Sequence, residues 1–285
     1  MSEVITQKNI ETSTEISHES TLFAEPILHA GNFTITNSLI MSWITVIILV
    51  TFFVQTGKKA KKSHKKIPKG VHNFFEIILE QALAMADSVT GDRKKTAKFL
   101  PIVLALFLFI LTSNWMGLLP GVGTIGFVEN AEHGKVFIPL LRGATADLNT
   151  TLAIALFSVV MSHIFGVLMI GWWKHFNKFV NIHAIQDIFH KFKKDPTIIM
   201  VNPIKVFVGL IEIVGEIAKI ASLSLRLFGN IFAGEVLLAS MMAISAFILP
   251  LPFMFLELIV GIVQALVFAI LTLAFMSIAS SAEEH

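Results

Sequence analysis

No cysteine occurs in the 285 residues, which excludes disulfide bonds, thiolate nucleophiles and cysteine-ligated metals. Charge is also scarce. Charged residues are 15% of the chain, against about 25% in an average soluble domain. The chain has no His-Glu-x-x-His, no Gly-x-Ser-x-Gly and no Gly-rich phosphate loop, so nothing supports an intramembrane enzyme. It has no detectable internal duplication either, which argues against a transporter built from inverted repeats. What is abundant is hydrocarbon: 54% of residues are hydrophobic and mean hydropathy is +0.75. These values predict an all-α polytopic membrane protein organised as one bundle.

About five spans are expected, near 39–56, 101–119, 146–173, 203–248 and 253–280, within one transmembrane domain covering 39–285. Residues 1–38 hold five Glu and one Lys and lack the basic leader of a secretory signal, so they read as an external segment before a retained span. Lys58, Lys59, Lys61, Lys62, Lys65, Lys66 and Lys69 follow that span without an intervening acid. The positive-inside rule makes them cytoplasmic and puts the N-terminus outside. Residues 72–98 carry Phe74, Phe75, Ile78, Leu79, Ala82 and Leu83 at helical spacing and end on Arg93-Lys94-Lys95, the pattern of a cytoplasmic interfacial helix.

The second span ends at Pro120-Gly121, and 121–145 is a mixed external loop. Trp172 and Trp173 close the third span. The following loop sets Lys174, Lys178, Lys191, Lys193 and Lys194 against Asp187 and Asp195, and is cytoplasmic. Asn202-Pro203 reads as the start of the fourth helix, with no further proline until Pro250. That helix would be about 69 Å long at 1.5 Å per residue, against a hydrocarbon layer of about 30 Å. The last two long helices are therefore expected to form a strongly tilted hairpin about Leu249-Pro250-Leu251-Pro252, with the C-terminus cytoplasmic.

Within that fourth helix lies Arg226, the only arginine after residue 145. Arginine keeps its proton, and at a helix centre it costs roughly 2.5–3.5 kcal/mol to insert. Ala218, Ser222, Arg226, Gly229 and Ala233 recur at spacings of four, four, three and four. Small residues allow close helix approach, which on its own means internal packing. With the arginine included, a partner helix bearing a carboxylate is the better reading.

Glu216 and Lys219 are spaced to pair with each other, and Glu212 is left as a candidate for a hydrated exit path. Glu235 lies about 180° around the helix from Arg226. An antiparallel hairpin faces Glu235 with Glu257, Asn230 with Gly261 and Arg226 with Gln264. Two such carboxylates cannot both ionise cheaply and would share a proton. Asp147, Thr151 and Ser158 make a further polar stripe on the third span. Lone buried polar groups often only hold helices together. Stripes that converge with three carboxylates point to water-filled half-paths on either side of a fixed cation. A single-chain transporter with Arg226 binding an anionic substrate is the competing class, and His163 alone reads as a satisfied polar group.

Ser222-Leu-Ser-Leu-Arg226-Leu-Phe-Gly-Asn230-Ile-Phe-Ala-Gly-Glu235 resembles the signature of subunit a of F-type ATP synthases. Asn114-Trp-Met-Gly-Leu-Leu-Pro120-Gly and Ala146-Asp147-Leu-Asn149-Thr resemble two further blocks of that family. The Gln264 helix and the Ser280-Ser-Ala-Glu-Glu-His285 ending resemble bacterial, Gram-negative members.

The resemblance implies a stator subunit of a rotary motor in the bacterial inner membrane, conducting protons beside a ring of c subunits. It implies peripheral-stalk b subunits and the rest of the synthase as partners, no catalysis of its own, and no cofactor, metal or nucleic acid. It assigns the essential cation to Arg226 and the outer half-channel to Asn230, Glu235, Glu257, Gln264 and Asp147. Glu212 and Ser222 fall to the inner one. Many bacterial members carry histidine where this chain has Glu257.

Overall fold

The computed structural model describes residues 16–17, 23–31, 33–62, 71–119, 121–131, 134–180, 198–245 and 248–281. Most of the basic run after Lys62, the Lys191–Asp195 loop and the last four residues lie outside them. Seven α-helices are described: α1 Asn37–Lys62, α2 Val71–Thr90, α3 Arg93–Gly117, α4 Leu148–Ile170, α5 Trp172–Val180, α6 Ile198–Ile244 and α7 Pro250–Ala279. Five of these (α1, α3, α4, α6 and α7) are long and apolar enough to cross a membrane. Their large apolar side chains are widely exposed, Ile47, Leu168 and Phe255 among them. That is the surface a lipid solvent calls for. The chain is an all-α polytopic membrane protein.

Helix boundaries differ from the expected ones where glycine, rather than proline, makes the break. The second span was expected to begin at Pro101, yet α3 begins at Arg93 and contains that proline. The break falls at Gly91, whose φ of 66° is left-handed and whose N–H donates to Asp87 O at 2.9 Å. Asp92 then caps α3, its carboxylate accepting from Lys94 N at 2.8 Å. The Thr96 hydroxyl and the Arg93 guanidinium hold the Asp87 carboxyl below its ordinary value across this turn. Arg93-Lys94-Lys95 therefore opens a span instead of closing the preceding helix.

Similarly, the third span stops at Ile170, because Gly171 has φ 94°, and the two tryptophans open the short amphipathic α5. Helix α6 begins at Ile198, upstream of Asn202-Pro203, where the apolar Ile198-Ile-Met-Val201 run continues the helix back past the proline. Proline deletes a single helical hydrogen bond, which a membrane helix absorbs.

Two small sheets in the connections were not expected. Strands β2 (Pro26–Ala30) and β3 (Phe33–Thr36) pair antiparallel. Strands β4 (Gly126–Ala131) and β5 (Gly134–Pro139) form a second antiparallel pair, and β1 (Ile16–Ser17) adds to β5 in parallel.

The residues divide into two compact units. The first comprises residues 1–69, 105–151 and 225–266, and the second 70–104, 152–224 and 267–285. In the first unit the β2–β3 ribbon is tied to the start of α1. Asn37 accepts from Glu25 N at 3.3 Å and donates to Pro139 O at 3.2 Å. In the second unit α4 meets α7 through Ser158 and Thr272, whose hydroxyls are 2.7 Å apart. Phe99 packs edge-on against Phe165 there, with centroids 5.0 Å apart.

Candidate functional site

The polar groups of the first unit gather where α3, the 142–147 segment, α6 and α7 meet. Asn114 near the end of α3 donates to Gly261 O at 3.3 Å and accepts from Thr145 Oγ1 at 2.8 Å. The indole of Trp115 donates to Leu258 O at 3.3 Å. A β-carbon at Gly261 would lie only 3.3 Å from Asn114 Cβ. The Asn114–Gly117 block is thus a clasp that seats α3 on the glycine face of α7.

That clasp positions α7 against α6. Asn230 donates to Gln264 Oε1 at 2.6 Å, so Gln264 bonds the amide one turn beyond Arg226, where the hairpin register had set it beside the arginine itself. Gly234 faces Glu257 so closely that a β-carbon there would fall 2.3 Å from its Oε1. Glu257 Oε1 and Gln264 Nε2 are both buried and have no hydrogen-bond partner among the described residues. Separated by seven residues, they lie on one face of α7.

Glu235 follows Gly234 on α6, but it is not simply half of a carboxylate pair. Arg142, 8% exposed, donates to Glu235 Oε2 from Nη2 at 3.0 Å and from Nε at 3.2 Å. Its Nη1 reaches Phe23 O at 3.3 Å. Arg142 was not singled out from the sequence, where it sits in a mixed loop. The available signal was its rarity, since only three arginines occur in the chain.

Asp147, expected on the outer path, is a buried helix cap. Its carboxylate accepts from Ala24 N at 3.2 Å, Asn149 N at 3.3 Å, Thr150 N at 3.2 Å, Thr150 Oγ1 at 3.0 Å and Ser38 Oγ at 3.2 Å. Five donors on one carboxylate hold α4, α1 and the N-terminal segment together.

Along α6 the five small-stripe positions Ala218, Ser222, Arg226, Gly229 and Ala233 are all exposed. Neighbouring exposed positions on this helix carry bulky groups such as Phe207, Val214, Ile217 and Leu225. Lipid-facing helix surface is normally bulky. A small-residue strip with a guanidinium in it is shaped for a helix to lie against.

In the second unit, Glu216 accepts from Lys219 Nζ at 2.7 Å, as the spacing foretold. His163 is not alone. Its Nε2 is 3.4 Å from Glu216 Oε2, and its Nδ1 is 3.2 Å from His175 Nε2. Half-buried Glu212 lines a small cavity with these groups.

Together these features define a class: a multi-pass helical membrane protein with buried carboxylates, amides and imidazoles, and a cation on an exposed, close-packing helix face. The family model for the ATP synthase A chain matches residues 39–277. Relatives bearing the name ATP synthase subunit a include those of Syntrophobacter fumaroxidans, Mycobacterium ulcerans and Moorella thermoacetica. The first is 32% identical over 86% of this chain and 84% of its own. The second is 35% identical over 84% of each chain, and the third 30% over 88% of this chain and 94% of its own. The chain belongs to the ATP synthase subunit a family, the bacterial proton-translocating subunit of the membrane sector.

Proposed function

We propose that this chain is the non-catalytic stator half of a rotary proton path, with two offset half-channels separated by Arg226. The carrying observation is the exposed strip of Ala218, Ser222, Arg226, Gly229 and Ala233. It fits a ring of c-subunit helices, each presenting a carboxylate that loses its proton near the guanidinium. An opposite charge at close range lowers a carboxyl pKa by roughly 1–3 units. A transporter that binds its substrate within one chain has no use for a cation on an exposed helix face.

The outer half-channel comprises Asn230, Glu257 and Gln264, and the unpartnered atoms of Glu257 and Gln264 among the described residues suit a hydrated path. Glu235 joins it as a carboxylate neutralised by Arg142. Asp147 serves it structurally, by holding the start of α4. Glu212 and Ser222 belong to the inner half-channel. The N-terminus lies outside and the C-terminus in the cytoplasm, residues 1–38 form the external segment, and α6 and α7 run as a strongly tilted hairpin. The b subunits of the peripheral stalk hold the chain against rotation. Each charge that crosses yields about 2.3 kcal/mol per 100 mV.

Proton-driven ATP synthesis in membrane vesicles tests the reading. Arg226→Ala should abolish synthesis, and Arg226→Lys should not restore it fully, because a buried ammonium can shed its proton whereas a guanidinium cannot. Near-normal synthesis with alanine removes the central claim.

A further inference from the structure

The second unit contains a set of titratable groups that the proposed channel residues do not include. His163 on α4 is engaged through both ring nitrogens, to His175 on one side and Glu216 on the other. The arrangement is built for these rings. A β-carbon at Gly166 would lie 2.6 Å from His175 Cε1, so glycine makes the room that the imidazole occupies. Phe179 meets both imidazoles nearly edge-on, at 5.7 Å from each. Lys219, anchored over the Phe275 ring at 5.1 Å, bonds the other oxygen of Glu216.

Two spaces adjoin this chain of groups. One is a cavity of about 10 Å³, lined by His163, His175, Glu212, Glu216, Lys219 and Ser162. That is room for one water. The other is an open cleft of about 570 Å³, walled by apolar residues from Val160 to Phe179, with His163, His175 and Glu216 as its polar members. The same three groups therefore border both the open cleft and the small cavity that Glu212 shares.

We propose that His175 and His163, oriented by Glu216, form a proton relay between the open cleft and the cavity of Glu212 that serves the inner half-channel. The proposal rests on the half-channel reading above. Neutral imidazole presents one donor and one acceptor and exchanges protons near physiological pH. A proton that reaches the buried Nδ1 of His175 sends the one on its Nε2 to Nδ1 of His163. His163 Nε2 in turn releases a proton to the cavity water. One proton enters, one leaves, and each ring ends as the other tautomer. Release toward the cleft runs the same steps backward.

Lys219 holds Glu216 as a carboxylate, which orients His163 while the released proton goes to the cavity water. Among the described residues, the other charged groups facing the histidines are Glu212, Glu216 and Lys219, all from α6. Helix α7 contributes Phe275, Ile278 and Ala279, which do not titrate.

The test uses the whole synthase reconstituted in vesicles, with proton flux measured while the pH on the inner side is varied. His175→Gln keeps a hydrogen-bonding amide but cannot carry a proton. It should cut flux by about tenfold or more, the lower side of what a positioned acid–base group contributes, and flatten the dependence on inner pH. His175→Ala should be restored by added imidazole, which enters through the cleft. A purely structural histidine would give neither the altered profile nor the rescue.

As a route that leaves the histidines intact, Trp172 at the cleft can be replaced. In this cysteine-free chain, Trp172→Cys followed by a bulky maleimide should slow flux, relative to the parent complex treated alike. Flux within about twofold of the parent for His175→Gln across inner pH 6–8 overturns the relay, as does free flux through the blocked cleft. Arg226→Ala run in parallel separates the two claims. Normal synthesis there rejects the half-channel reading itself, whereas dependence on Arg226 with indifference to His175 rejects the relay alone.

Discussion

Replacing Arg142 tests whether Glu235 is held as a neutralised carboxylate. The guanidinium donates twice to the same oxygen of Glu235, at 3.0 and 3.2 Å. Neutral interhelical hydrogen bonds in a bilayer couple by about 0.6 kcal/mol on average. Charge assistance roughly doubles a hydrogen bond. Two such bonds therefore predict a coupling of about 2.4 kcal/mol. The Glu235 side chain is 31% exposed, and screening at partly exposed pairs reduces the expectation to roughly 1–2 kcal/mol.

The measurement is a double-mutant cycle with Arg142→Met, Glu235→Leu and the double variant. Each full chain is held in mild-detergent micelles and unfolded by titration with sodium dodecyl sulfate. The sign carries as much information as the size. A single variant strands one charge in a buried setting, so the double variant should be more stable than the worse single one. Coupling below about 0.5 kcal/mol, the scatter expected of independent sites, would refute the reasoning.

Glu257→Leu should slow proton flux without preventing assembly, and Glu257→His should sustain it, since imidazole also carries a proton near neutral pH. Normal conduction by the leucine variant across pH 6–8 would take Glu257 out of the path. A cysteine replacing Lys58 should be labelled only from the cytoplasm, and one near residue 130 only from outside; the reverse pattern inverts both half-channels. Gly166→Ala sets a β-carbon 2.7 Å from Ala279 O, a backbone atom that cannot turn aside. Its cost should be about 1–3 kcal/mol, typical of overpacking, read as an earlier detergent-unfolding midpoint.

The spans were legible because hydropathy and length are properties of contiguous residues. So was the face of Arg226, since helical spacing alone groups Ala218 through Ala233. The α6–α7 hairpin register was legible to within a turn. A proline pair marks the reversal, and the register counted from it faced Gln264 with Arg226, one turn from the Asn230 that it bonds. Helix ends were misjudged for one reason. Pro101 and Pro203 were read as starts, yet each removes only one backbone bond, whereas Gly91 and Gly171 adopt left-handed conformations that end a helix outright.

What stayed hidden depended on long-range contact. Arg142 meets a carboxylate 93 residues away, and no local pattern links a loop arginine to the far end of another helix. His163 looked solitary because its partner lies beyond Gly171, where the chain leaves the α4 axis and returns His175 toward it. Asp147 was assigned by its place in a polar stripe. A stripe records which face a residue occupies and leaves open how many donors converge on it. With five donors Asp147 is fixed as a cap, while Glu257 has a buried oxygen with no hydrogen-bond partner among the described residues. Hydrogen-bond saturation, more than position along the helix, thus distinguishes the two carboxylates.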